Sequence, residues 1–283
     1  MASSSLRIRQ QVQQIQALAK IQRDIRVQDP NSRSKYLREF HRAFRSYEAI
    51  LTQSDVHQAI TGADIILVGD YHALPASQRF ASELLEHRAH KGDRPVVLGV
   101  ESIFSRDQGI LDRWWRREIS GPELRRRIEF DEEWGYEWDP FHELLVTARD
   151  CADGIYALDC APRGDMRKIR GRDRHAANRF AEIRELHPSA AIFALFGESH
   201  LAPTHLPRDL QEIIPNDGVL TILQNVDALY WAAAETESEV PEAIRVHEGV
   251  LCVFHTSLLD KYASYRKHLQ RWSEGEEELD AET

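Results

Sequence analysis

The sequence predicts an α/β protein in which a mostly parallel sheet lies between two layers of helices. From residue 54 onward, short apolar runs alternate with longer amphipathic stretches, which is the pattern of strands joined by crossover helices. The runs are almost continuously apolar, as in strands buried on both faces of a sheet. A chain of 283 residues, 42% of them hydrophobic, is long enough to bury such a core.

Two helices precede this region and predict an N-terminal helical appendage over residues 1–53. The first spans residues 6–27 with an apolar stripe at three- and four-residue steps, and Asp29-Pro30-Asn31 ends it. The second runs over about 34–52. Residues 1–50 contain ten Lys and Arg but four Asp and Glu. The stripes favour a hairpin packed on the main domain, and the charge leaves a basic docking arm or a dimerisation hairpin as alternatives.

The remaining pattern predicts one α/β domain over residues 54–273 and an acidic disordered tail over 274–283, where six of ten residues are acidic. Within the domain, Ser54 is expected to cap a short helix. The predicted strands are 64–69, 95–101, 155–159, 190–196 and 218–224, with a further apolar segment around 249–254. The predicted helices are 75–91, 165–186, 206–214 and 257–273, together with a helical stretch over 105–152 broken at Gly121-Pro122 and Asp139-Pro140.

Composition excludes several classes of protein. A net charge of −10 argues against general nucleic-acid binding. Three cysteines without C-x-x-C spacing argue against a disulfide framework or structural zinc and favour a reducing compartment. No apolar run is long enough to predict a membrane span, and the first residues lack the apolar core of a signal peptide. We therefore expect a cytoplasmic protein, with a homodimer as one oligomeric state.

Two G-x-x-H motifs carry the chemical signal. Gly69-Asp70-Tyr71-His72 and Gly197-Glu198-Ser199-His200 each follow an apolar run directly. A short apolar run that ends in Gly is typical of a buried strand leading into a turn. Because ligands bind at the carboxyl ends of parallel strands, we expect both histidines to share one site.

Ionisable side chains follow four of the predicted strands. They are His72, Glu101, Asp159, and the pair Glu198 and His200. Imidazole and carboxylate groups suit zinc, manganese or iron, with His72, Glu101, Glu198 and His200 as the metal ligands, and they suit acid–base catalysis equally well. Asp159 and Glu101 can instead cap a helix or satisfy a turn. Asp70 and Glu198 can be ligands or can hold the neighbouring histidine in place.

Five short motifs, taken in their order, resemble the ChaN-like branch of the Tiki superfamily, which also includes erythromycin esterases, TraB-like proteins and Tiki proteases. They lie within residues 62–212 and read ILVGDYH (66–72), QR (78–79), LGVE (98–101), LDCAPR (158–163) and FGESH (196–200). The resemblance implies a three-layer α/β/α fold. It also implies a site whose functional residues are His72, Glu101 and His200. Asp70 stands where the family commonly has Glu.

ChaN-like members are associated with haem binding and iron uptake, and one known arrangement holds a cofacial haem pair between two subunits. By this resemblance we expect haem or iron at the histidine site. Either tyrosine or histidine can be an axial ligand of ferric haem, and Tyr71, inside the first motif, is a local candidate. Arg79 and Arg163 are then expected to bind the propionates. An aromatic cluster could wall the pocket; it comprises Trp114, Trp115, Trp134, Tyr136 and Trp138.

Tiki and erythromycin-esterase members look like hydrolases, and this implies an alternative in which His72, Glu101 and His200 are catalytic. His72 is then the base or a metal ligand, and Glu101 orients it or acts as general acid or base. His200 is a second ligand or an electrophile, and Arg163 holds a substrate anion. The chain has no G-x-S-x-G elbow or nucleotide-binding loop. A non-catalytic interaction protein that uses the basic N-terminal hairpin is the third interpretation, so whether the chain is an enzyme stays open.

Overall fold

An eight-stranded sheet forms the centre of the protein in the computed structural model, which describes residues 2–29, 34–160, 169–236 and 240–281. The strands are β1 (Ala49–Leu51), β2 (Ile65–Asp70), β3 (Val96–Phe104), β4 (Gly154–Asp159), β5 (Ala191–Gly197), β6 (Val219–Gln224), β7 (Ala243–His247) and β8 (Val250–Val253). Their order in the sheet is β1-β7-β8-β6-β2-β5-β3-β4. Only the two pairings that involve β7 are antiparallel among these strands.

Twelve α-helices surround the sheet in the described part of the chain. They are α1 (Ala2–Gln28), α2 (Lys35–Ala43), α3 (Gln53–Gly62), α4 (Pro75–Lys91), α5 (Gln108–Trp115), α6 (Gly121–Arg127), α7 (Phe130–Glu133), α8 (Trp138–Cys151), α9 (Ile169–Leu186), α10 (Leu206–Ile213), α11 (Asp227–Thr236) and α12 (Leu258–Ala281). None of the described helices is long and apolar enough to cross a bilayer.

The core consists of two apolar layers, one on each face of the sheet. Helices α3 to α8 bury one face, and α2, α9, α10 and α11 bury the other. Adjacent residues of β2 point into opposite layers: Ile66 and Val68 pack in the first, and Ile65 and Leu67 in the second. Both faces of the strand are therefore apolar, which explains the continuous runs in the sequence. The predicted three-layer α/β/α class is confirmed.

The second predicted helix is shorter than the sequence indicates. Instead of spanning residues 34–52, α2 ends at Ala43, and β1 follows as an antiparallel edge strand beside β7. The backbone groups of Ala49–Leu51 pair with β7, and this tertiary pairing overrides the local helical pattern. The cap of α3 also lies two residues earlier than predicted, since Thr52 rather than Ser54 accepts the Asp55 N–H in a capping box.

Other differences concern short elements and helix ends. The sequence analysis missed α11 and β7. It also ended the last helix at residue 273, whereas α12 continues to Ala281 and so overlaps the segment predicted as an acidic tail. In the stretch 105–152, Pro122 begins α6 as predicted, but Pro140 lies in the first turn of α8, where its missing N–H costs no hydrogen bond. The break falls at Gly135, whose φ is +72°.

A buried polar group holds the end of β2 in place. Gln224, the last residue of β6, donates to the Gly69 carbonyl oxygen at 2.7 Å. His255 Nε2 lies 2.6 Å from Gln224 Oε1, and its ring stacks on Phe80 at 4.4 Å. Burial lowers the pKa of His255 to about 4. This histidine therefore links the folding of the strand end to pH.

We expect the free energy of unfolding to fall as the pH is lowered from about 6.5 to about 4, because the unfolded chain takes up a proton that folded His255 refuses. The loss attributable to His255 is about 3 kcal/mol. In His255→Gln the total loss of unfolding free energy over this interval should be smaller by that amount, as urea titrations at several pH values would measure. The exposed His90→Gln variant is the control, and an equal slope in wild type and His255→Gln would contradict the expectation.

Candidate functional site

Strands β2 and β5 bring the two G-x-x-H motifs side by side. They pair in parallel with Asp70 opposite Gly197. His72 lies two residues beyond β2, and His200 lies in the 3-10 turn Glu198–Leu201 that follows β5. Since the strands run in the same direction, both histidines stand at the carboxyl edge of the sheet.

Glu101 of β3 lies between the two histidines. Its Oε1 is 3.4 Å from His200 Nε2, and its Oε2 is 3.8 Å from His72 Nε2. The Gly197 N–H donates to Oε2 at 2.5 Å. A Cβ added at Gly197 would lie 3.0 Å from both Glu101 Oε2 and His72 Nε2, so a larger residue there would have to displace one of these side chains. Glu101 belongs to the strand itself rather than to the turn after it, as β3 extends to Phe104.

Arg172 of α9 binds the carboxylates of β3 and β4. It donates to Glu101 Oε1 at 2.6 Å and to both oxygens of Asp159 at 2.9 Å. Burial raises the pKa of Glu101, but the charges of His200, Arg172 and His72 and the Gly197 N–H outweigh it and lower this pKa to about 2. Glu101 is therefore a buried carboxylate whose negative charge is balanced by this arginine.

His72 is oriented by a carboxylate at its second ring nitrogen. Its Nδ1 lies 2.7 Å from Asp70 Oδ2, and the Gln78 amide donates to Asp70 Oδ1. Burial lowers the pKa of His72, but the charge and hydrogen bond of Asp70, together with Glu101, raise it above the ordinary 6.5. A carboxylate at Nδ1 fixes the tautomer in which Nε2 carries the lone pair. The His72 side chain remains 21% exposed and lines the cleft described below.

His200 is buried and is held by two residues that the sequence analysis did not select. Asp173 Oδ1 lies 2.5 Å from His200 Nδ1, and the Tyr36 hydroxyl donates to Asp173 Oδ2 at 2.6 Å. The signal for Asp173 is present in the sequence. Arg172 and Asp173 occupy the same helical stripe as the buried residues Ile169 and Ala176, where charged side chains need partners.

The residues expected as metal ligands do not form a metal site. Among the described residues, no group of three His, Cys, Asp or Glu side chains is arranged to hold a metal ion. The Arg172 guanidinium already stands beside Glu101, and Glu198 faces a lysine instead of the histidines. A divalent cation would meet these positive charges, so the set His72, Glu101, Glu198 and His200 does not fit one.

A cleft of about 510 Å³ opens beside His72. The strand ends form its floor, and α1, α2, α11 and α12 contribute its other walls. Four tyrosines line it: Tyr71, Tyr136, Tyr262 and Tyr265. Its volume lies in the range of small-molecule and cofactor sites. The N-terminal helices are thus part of this site in the structure.

A buried ion pair lies in the same cleft. Lys261 of α12 is 4% exposed, and its Nζ lies 3.3 Å from Glu198 Oε1. Its ammonium group stands 4.5 Å from the centre of the Tyr71 ring. Burial lowers the pKa of Lys261, but Glu198 and Asp227 outweigh it and raise this pKa. Lys261 is therefore a charged lysine in the wall of the cleft, and the sequence analysis missed it because its helical stripe resembles ordinary core.

The other predicted residues lie in different places. Arg79 is 57% exposed and pairs with Glu143 at 3.3 Å, outside the residues that line the cleft. Arg163 lies outside the described residues. Of the aromatic cluster, Trp134 and Tyr136 contact His72, with ring centres 4.4 and 5.2 Å away. The other three belong to or pack against the apolar core: Trp114, Trp115 and Trp138.

Comparisons with known proteins agree with this architecture. A family model described as haem-binding uptake, Tiki superfamily, ChaN matches residues 56–202, slightly more than half of the chain. The chain is similar to ChaN of Campylobacter jejuni, solved with cofacially bound haem, with a TM-score of 0.51 and 13% identity over 71% of this chain and 91% of that one. It is also similar to the type III effector HopBA1, with a TM-score of 0.54 and 12% identity over 74% and 96%. These identities show the fold alone, and no curated protein matches the chain.

Proposed function

Since the chain belongs to the ChaN family of haem-binding uptake proteins in the Tiki superfamily, we propose that it binds haem in the cleft beside His72. One observation carries the proposal: an accessible histidine, supported by Asp70 at 2.7 Å, stands at the edge of a tyrosine-lined cleft of about 510 Å³. Bound haem would supply an iron that takes an axial ligand from the protein, so one well-supported side chain suffices.

His72 is a better axial ligand here than Tyr71. A histidine that ligates a metal usually donates its other ring N–H to a carboxylate, which raises its basicity, and Asp70 provides this support. Burial and nearby negative groups raise the pKa of Tyr71 well above 10, which disfavours the phenolate that would bind iron. We therefore assign the ligand to His72 and keep Tyr71 as an aromatic wall.

Two cations of the cleft suit the haem propionates. Arg26 of α1 and Lys261 of α12 both line it, and they take the part that the sequence analysis gave to Arg79 and Arg163. The carboxylates of Glu198 and Asp227 balance Lys261, so Arg26 is the stronger candidate for a bidentate contact.

A hemin titration followed by absorbance tests the proposal. We expect a saturable change of the Soret band at one hemin per chain, in protein whose metal content has been determined beforehand. Both a haem within one chain and a cofacial pair between two chains give one hemin per chain, so the molecular mass of the loaded protein in solution, monomer or dimer, separates the two arrangements. If the absorbance rises linearly with added hemin, as it does when hemin is added to buffer without protein, haem binding is contradicted.

Metal-independent ester hydrolysis is the second candidate, and the Asp70–His72 pair favours it. A histidine whose Nδ1 faces a carboxylate can accept a proton from water at Nε2, as a general base does. The candidate predicts hydrolysis of at least one carboxylic ester by protein treated with chelator. His72→Ala should abolish that activity, and an equal rate in both proteins would identify a contaminant.

A further inference from the structure

Helix α2 reaches the histidine site although it precedes the residues that the family model matches, 56–202. Two of its side chains, Tyr36 and Phe40, are buried against the main domain. The Tyr36 hydroxyl lies 3.2 Å from His200 Nδ1 and donates to Asp173 at 2.6 Å. A side chain from outside the matched region therefore contacts the site directly.

Asp173 connects Tyr36 to His200. One carboxylate oxygen faces His200 Nδ1 at 2.5 Å, and the other accepts the Tyr36 hydroxyl. Burial, followed by the charge of Asp173, raises the pKa of Tyr36 far above 10, so the hydroxyl keeps its proton and acts as the donor. A carboxylate held at both oxygens cannot rotate freely, and its position fixes which ring nitrogen of His200 carries hydrogen.

The ring of Tyr36 is fixed independently of its hydroxyl. It stacks on His205 with centres 3.6 Å apart and planes within 7°. His205 is itself held, because its Nδ1 lies 2.8 Å from the Ser199 carbonyl oxygen and its Nε2 lies 3.2 Å from Glu39. The stack keeps the phenol in place even without its oxygen, so a phenylalanine at this position should keep the helix docked.

The contact continues toward the cleft. His200 Nε2 lies 3.4 Å from one oxygen of Glu101, whose other oxygen is 3.8 Å from His72 Nε2. The order of contacts is thus Tyr36, Asp173, His200, Glu101 and His72. A change at Tyr36 reaches His72 Nε2 through these groups.

We propose that Tyr36 is a positioning residue of this site, whose hydroxyl orients Asp173 and thereby sets the ring state of His200. The N-terminal helices then contribute to the histidine site as well as lining the cleft. The consequence for ligand affinity rests on the proposed haem function, whereas the effect on His200 does not depend on any ligand.

The test compares Tyr36→Phe with Tyr47→Phe in the full chain. Tyr47 also loses a hydroxyl contact in its variant, with Thr236 Oγ1 at 2.6 Å, but it lies away from the histidines. Two-bond ¹H–¹⁵N spectra report which nitrogen of each histidine carries hydrogen. We expect the His200 ring nitrogens to shift in Tyr36→Phe and in Asp173→Asn and to stay at wild-type values in Tyr47→Phe. Unchanged His200 signals in folded Tyr36→Phe would overturn the proposal.

Hemin affinity gives the second readout. Removing a residue that supports a metal-binding histidine typically lowers affinity 10- to 100-fold, and Tyr36 acts through three further groups, so we expect about tenfold weaker binding in Tyr36→Phe. No hemin binding by the wild type, with shifted His200 signals in Tyr36→Phe, would refute the haem function and leave the positioning role standing. Equal hemin affinity and unchanged His200 signals in a folded variant would refute the positioning role alone.

Discussion

Replacing Glu101 by glutamine is expected to lower the free energy of unfolding by about 3 kcal/mol, because it removes one partner of a buried ion pair. A glutamine at position 101 cannot accept hydrogen bonds at both places where the carboxylate oxygens of Glu101 accept them. One carboxylate oxygen accepts from Arg172 and faces His200, and the other accepts from the Gly197 N–H. Whichever way the amide is turned, its NH₂ group meets a donor.

Urea denaturation of Glu101→Gln beside Glu143→Gln measures this effect. Glu143 pairs with Arg79 at 3.3 Å on the surface, and such pairs contribute about 1 kcal/mol or less. Both variants remove one negative charge, so the difference between their losses of unfolding free energy reports the effect of burial. A loss at Glu101 no larger than that at Glu143 would show that the network around Arg172 is not formed as described.

Replacing His72 by alanine is expected to weaken hemin binding at least about 100-fold, which corresponds to about 3 kcal/mol. The substitution removes the side chain whose Nδ1 is held by Asp70 and which lines the cleft. His72→Ala/His200→Ala should bind no more weakly than the single variant, because His200 is buried and contacts Glu101 rather than the cleft.

Two matched variants separate the possible ligands. Tyr71→Phe keeps the aromatic wall, so we expect an unchanged Soret band and a hemin affinity within about threefold of the wild type. This is less than the tenfold change in affinity that corresponds to about 1.4 kcal/mol. His57→Ala removes an imidazole on α3 that stacks on His87, away from the cleft, and should change nothing. Loss of the Soret shift in Tyr71→Phe with full binding by His72→Ala would transfer the ligand role to the tyrosine.

The sequence predicts the sheet well because its buried strands are both continuous and apolar. Two apolar runs that each end in Gly predict that His72 and His200 lie at the same edge of the sheet, and the parallel pairing of β2 with β5 in the structure places them together. β1 and β7 escaped prediction because they are short and lie at the antiparallel side of the sheet, where pairing partners rather than local pattern decide the structure.

The site is less predictable, because helices present side chains by their phase as well as their position. Gln78 and Arg79 are neighbours in the sequence, yet Gln78 is buried against Asp70 and Arg79 points to solvent about 100° away around α4. Arg172 and Tyr36 come from helices distant in the sequence, and only the fold brings them to the strand ends. Their partnership with Glu101 and Asp173 requires three-dimensional contacts that spacing alone does not encode.

A crystal structure of the hemin complex, with the iron located by anomalous scattering, tests the central claim most directly. We expect one iron per chain, in the cleft and bonded to His72, with the haem edge toward Arg26 and Lys261. An iron on the stacked surface histidines His57 and His87, or one bonded to a side chain outside the cleft, would contradict it.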